Sequence, residues 1–148
     1  MATPNINDEM RQTAEYAIKV AKELFGKQLD YTENSLPNLE YLIEQAHQQF
    51  ITTKSEGKIS NDIAINRTAS VWGSYFGELL RENLGGTWFF DESNRWVEVN
   101  GLRCSPIEFV YQRITGQLEI EVKLFFEETV KDLSSQPINL IQPKTKPT

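Results

Sequence analysis

One stretch in the middle of the chain limits the possible folds more than any other. Residues 61–83 carry Ala64, Thr68, Val71, Trp72, Tyr75, Phe76, Leu79 and Leu80 at helical spacing, a broad apolar face. Ala69, Gly73 and Gly77 fall four apart on the same helix. Glycine inside a helix costs about 1 kcal/mol relative to alanine. Two on one stripe therefore predict that a neighbouring element packs closely against it. Ser60 is the candidate cap at the start, and Gly85-Gly86 ends the helix. Beyond the glycines the pattern switches to aromatic and β-branched runs. Residues 87–91 and 95–101 flank the short polar turn Glu92-Ser93-Asn94, which reads as a β-hairpin. A lone hairpin is marginal in water, so the glycine stripe is expected to meet it or the first helix.

Helical patterns surround this unit. The first covers residues 8–29, with Met10, Ala14, Ala17, Ile18, Ala21, Phe25 and Leu29 in step, Asn7 or Asp8 as cap, and Gly26 fraying its last turn. The second runs over 36–53, with Ser35 as cap and Pro37 tolerated in the first turn. Ser105-Pro106-Ile107-Glu108 reads as a capping box opening a helix that stops at Gly116. A last helix is expected over 118–133. The fold class is α+β: mostly helical, about five helices, with one central antiparallel β-hairpin.

With 148 residues the chain suits one domain. That domain is assigned to 1–133, followed by a flexible tail, 134–148, holding Pro137, Pro143, Pro147, Lys144 and Lys146. Sixteen aromatic residues argue against disorder. No apolar run approaches the roughly 18 residues of a membrane span, and the start has no leader pattern, so a cytoplasmic domain without a membrane partner is expected. The net charge is −6, and residues 1–133 carry 13 basic against 21 acidic groups. Such a surface disfavours nucleic acid and attracts a basic partner.

Residues that could carry chemistry are sparse. His47 is the only histidine, and zinc or iron sites normally use two or three. The acidic turn at 91–94 lacks calcium-loop spacing. No metal and no cofactor are therefore called for. Cys104 is the only cysteine, which excludes an internal disulfide. Only His47 could serve it as a base, so packing is its expected role. A carboxylate pair, Glu78 with Asp91 or Glu98, could do acid–base work only at a suitable separation.

Two surfaces remain. On the third helix, Asn66, Ser70, Ser74 and Glu78 stand at four-residue steps, flanked by Arg67 and by Arg81, which can pair with Glu78, and with Arg67 and Tyr75 the row could line a polar ligand cleft. On the hairpin, Trp88 and Trp96 lie on different strands beside Asp91, Glu92 and Glu98, a mixture suited to a protein interface. The run Gly73-Ser74-Tyr75-Phe76-Gly77-Glu78, followed by Gly85-Gly86-Thr87-Trp88, resembles small bacterial domains in which a Gly-x-Tyr-x-Gly-Glu helix precedes a Gly-Gly-x-Trp hairpin. The likeness covers about residues 62–115. Some such domains look like members of toxin–immunity neighbourhoods. The resemblance marks Tyr75, Glu78, Trp88 and Pro106 as important for folding or for function. The leading expectation is a non-enzymatic protein-binding domain, of immunity or inhibitor type, that acts on a basic partner. The alternative is a small-ligand-binding or sensory domain using the cleft on the third helix.

Overall fold

The computed structural model describes residues 5–58, 61–91 and 94–135. The tail expected from 134 onward, the candidate cap Ser60, and Glu92 and Ser93 of the turn fall wholly or largely outside them. Five helices are present among the described residues: α1 (Ile6–Phe25), α2 (Leu36–Ser55), α3 (Asp62–Leu84), α4 (Pro106–Thr115) and α5 (Val122–Ser135). Between α3 and α4 lies an antiparallel sheet of β1 (Thr87–Phe90), β2 (Arg95–Val99) and β3 (Leu102–Cys104), in that spatial order. The mostly helical α+β architecture is as the sequence predicts. The hairpin is one strand larger than expected. Asn100 (φ 50) and Gly101 (φ 85) form a tight turn that returns β3 onto β2, pairing Val97 with Cys104. Asn-Gly is the preferred pair for such turns because both residues must adopt positive φ.

Several helix ends differ from expectation, each for a local reason. Asn5 caps α1 by accepting the Asn7 N–H at 2.7 Å, which frees the Asn7 side chain for another task. Gly26 stops α1 outright with φ 66, and Leu29 reaches the core from the connection instead. Asn61 caps α3 by accepting from the Ala64 amide. The Ser105 side chain does not cap α4. Its hydroxyl bonds Asn94 Oδ1 at 3.0 Å, tying the helix start to the hairpin turn. α5 begins four residues later than predicted, because its Val122 amide is satisfied by the distant Glu40 carboxylate.

α3 is the centre of the molecule. Its run from Trp72 to Leu80 is buried without a break. The glycine stripe explains how neighbours come so close. A Cβ on Gly77 would lie 2.1 Å from the Trp88 ring, and one on Gly73 would lie 2.5 Å from the Ile107 backbone. The stripe therefore seats both the hairpin and α4, with α4 the unforeseen partner. The larger core cluster joins α1, α2, α3, α4 and α5. A smaller one holds Met10, Trp88, Val97 and Val99 between α1 and the inner face of the sheet.

Candidate functional site

Glu78 projects from α3 beneath the sheet, and its side chain is wholly buried. Burying an isolated carboxylate is prohibitive unless donors replace its water. Three do so. Arg11 Nη1 donates to Oε1 at 3.2 Å, Arg81 Nη1 to Oε2 at 2.8 Å, and the Trp88 indole N–H to Oε2 at 2.7 Å. Arg11 also pairs with Glu82 at 2.6 Å and lies 4.3 Å above the Tyr31 ring. The Glu82 carboxylate raises the pKa of the Arg11 guanidinium above its ordinary value, against a lowering by burial. Tyr31 has the left-handed φ of 67, uncommon for a large side chain. Its amide donates to Tyr75 Oη at 2.7 Å, its ring stacks on Tyr75, and its hydroxyl donates to Glu15, and together these hold the strained conformation. Burial raises both phenols above their usual range, helped in Tyr31 by the Glu15 hydrogen bond and opposed in Tyr75 by the Ser35 hydroxyl.

This cluster opens onto a polar cleft of about 300 Å³ lined by Asn7, Asp8, Arg11, Glu78, Arg81 and Glu82. Asn7, freed from capping, clasps the edge of β1: the Trp88 amide donates to its Oδ1 at 2.9 Å, and its amide donates to Thr87 Oγ1 at 3.0 Å. Glu78 thus anchors the sheet to α1 and α3. The carboxylate beside it in the cleft is Glu82, held on the same Arg11 Nη1, and not Glu98. Glu98 stands on the outer face of the sheet, across from Arg103, while Glu78 meets the inner face through Trp88.

The six residues proposed to line one cleft on α3 do not converge. Four-residue steps wind about 40° around a helix, because a turn takes 3.6 residues. The row from Asn66 to Glu78 therefore leaves the surface and enters the core. Asn66 is exposed and bonded to its own helix at Asp62 O. Ser70 is half-buried, and Ser74, Tyr75 and Glu78 are buried. Arg67 alone of the six lines a separate cavity of about 670 Å³ between α1, α2 and the N-terminal half of α3.

On the hairpin, Trp88 is corrected from surface to core. Alternation turns it inward with Val97 and Val99, where Gly77 leaves room for its ring. Phe89 and Trp96 are direct cross-strand partners on the outer face and belong to neither core cluster. Arg103 sits 4.6 Å above the Phe89 ring. Asp91 is spent within the turn, accepting the Asn94 amide on Oδ1 and the Trp96 indole N–H on Oδ2 at 2.8 Å. Glu92 lies outside the described residues. Cys104 is half-buried, and burial pushes its thiol up to about 12, a poor nucleophile. His47 Nδ1 bonds the Ile114 carbonyl at 2.8 Å, which makes it a protonated nitrogen holding α2 to the end of α4.

A second ion cluster escaped sequence reasoning. Arg113 of α4 is buried and makes a bidentate pair with Glu40 of α2, at 2.8 and 2.6 Å, while donating to Ile120 O. The only sequence trace is a basic residue in the last turn of a helix, which is common. No family model, curated protein or solved structure matches the chain.

Proposed function

We propose that the chain is a protein-binding domain, of immunity or inhibitor type, whose partner docks on the outer face of the sheet. The observation that carries this reading is the Phe89–Trp96 cross-strand pair, packed in neither core cluster. Aromatic and arginine side chains on a rigid backbone are the usual anchors of interfaces. Here Phe89 and Trp96 stand beside Arg103 and Glu98 on three paired strands. Docking in this reading is face-on, and strand addition to β1 is opposed by the Asn7 side chain, which already occupies that edge at the Trp88 amide. The net charge of −6 favours a basic partner and speeds its approach. The binding surface of this reading is therefore Trp96 and Glu98 with Phe89 and Arg103. Trp88 supports it from beneath, and Asp91 does so by fixing the Trp96 indole.

The test compares capture of a partner by the wild-type chain and by Trp96→Ala, at low and high salt. Loss of an aromatic anchor worth about 2 kcal/mol weakens binding about thirtyfold, with the melting temperature held. A partner retained equally by a folded Trp96→Ala chain overturns the assignment of this face. Added salt is expected to weaken capture of a basic partner.

The cavity beside Arg67 favours a second reading, a small-ligand-binding domain.

A further inference from the structure

We infer that the cavity between α1, α2 and α3 is a binding site for a small amphipathic carboxylate: an apolar body with one anionic end. Its volume, about 670 Å³, falls in the range of ligand sites, about 300–1,000 Å³. Leu42, Trp72 and Ile114, all buried, form its floor, and Val20 and Phe50 contribute to its walls. Gln45, Gln49, Asn61 and Thr68 add neutral polar groups. Among the described residues, the one charged side chain in the lining is Arg67.

The state of Arg67 sets the sign of the ligand. The chain has six arginines. Arg11, Arg81 and Arg113 each pair with carboxylates, and Arg95 and Arg103 each lie over a phenylalanine ring. Among the described residues Arg67 has no such partner. Its helix neighbours at three and four residues are Ile63, Ala64, Ser70 and Val71, so no acid on α3 can reach it by that spacing. In a chain of net charge −6, a mainly apolar cavity whose charged lining, among the described residues, is a single guanidinium without an acidic partner selects against cations and for a carboxylate. Guanidinium and carboxylate match in geometry as well as charge, through paired N–H donors. The apolar body then covers Trp72 and Phe50 while the acid stays at the exposed Arg67.

This site is separate from the sheet face, so either proposal can fail alone. The test titrates the full chain with decanoate below its micelle concentration, and in parallel with decanol and decyltrimethylammonium. The readouts are the Trp72 and Trp96 indole N–H signals in nitrogen-edited NMR spectra. Saturable movement of Trp72 and not Trp96 is expected with decanoate, with affinity about tenfold above decanol and above the cationic probe. Arg67→Gln, an exposed change, should remove that tenfold advantage and leave decanol binding as it was. Ala46→Phe should fill the cavity and weaken all three. Equal affinity for decanoate and decanol, preference for the cation, no saturable movement of Trp72, or an Arg67→Gln chain that still prefers decanoate would each overturn the inference.

Discussion

The carboxylate of Glu78 and the guanidinium of Arg113 are both shut inside this fold, and their surroundings are near mirror images. Glu78 is a buried anion, and its cationic partners Arg11 and Arg81 keep 39% and 25% of their side-chain surface exposed. Arg113 is a buried cation, 5% exposed, with Glu40 and Glu44 at its rim. The first cluster joins α1, α3 and the sheet, and it opens on a polar cleft. The second joins α2, α4 and the start of α5, and Glu40 serves there both as counter-ion and as the cap of α5. The difference lies in what remains when one member is removed. Without Glu78, both arginines can turn to water. Without Glu40, Arg113 has no such route and the Val122 amide loses its acceptor.

The largest effect is therefore expected at Glu40. Glu40→Ala strands a buried charge and should cost about 3–5 kcal/mol, read by urea unfolding. A loss below about 1 kcal/mol, typical of an exposed pair, would break the contrast by showing that Glu44 at 3.5 Å replaces its neighbour fully. Gly77→Ala comes next. Overpacking of a core typically costs about 1–3 kcal/mol. The upper end is expected, because a Cβ 2.1 Å from the Trp88 ring must push the indole off Glu78 as well. An unchanged melting temperature would show that the hairpin seats elsewhere. Glu78→Gln keeps the shape but turns an amide donor either toward Arg11 or toward Arg81 and Trp88 together. About 2 kcal/mol is expected, the cost of a buried hydrogen-bonding group left mismatched. If Glu78→Gln proved costlier than Glu40→Ala, the argument from rim exposure would be wrong.

The two clusters also differ in how far the sequence reveals them. Glu78 and Arg81, three apart on a strong helical pattern, are legible as a pair, and the glycine stripe announces the close packing beneath them. The indole bond from Trp88 is not legible, because it depends on which hairpin face turns inward. Both faces carry aromatics, and only contact with Gly77 decides between them. The Asn100-Gly101 turn was a readable signal for the third strand, hidden by the brevity of Leu102–Cys104. Arg113 and Glu40 stand 73 positions apart, on helices whose patterns give no hint that α2 and α4 touch at those residues. The capping motif at Ser105 was locally sound, but the Asn94 side chain competes for the same hydroxyl. Local rules fail here where a distant group makes the better bond.

The smallest effect is the pH dependence contributed by the phenols that border one of the two clusters. Tyr31 and Tyr75 border the Glu78 cluster, and burial holds both hydroxyls above the ordinary phenol range. Among the described residues, the hydrogen-bonded Arg113 cluster contains no phenol. In the unfolded chain a tyrosine titrates near pH 10. Above that pH the native state keeps protons that the unfolded chain has lost. The stability these hydroxyls contribute is thus whole below about pH 10 and is lost as the pH rises beyond it. Cys104, pushed up to about 12, begins a similar loss as the pH passes about 8.5. Tyr31→Phe removes one of these protons and leaves the other two in place. Its stability should therefore fall less steeply than wild type between pH 10 and 11, by at most about 1 kcal/mol over that unit, less where solvent screens the phenol. Unfolding curves at the two pH values measure the slope, which is independent of any constant loss from the missing Glu15 hydrogen bond. Equal slopes in the two proteins would mean that Tyr31 titrates as an open phenol. The stacked, strained Tyr31 would then not seal the Glu78 side, and the two clusters would be alike in their access to solvent.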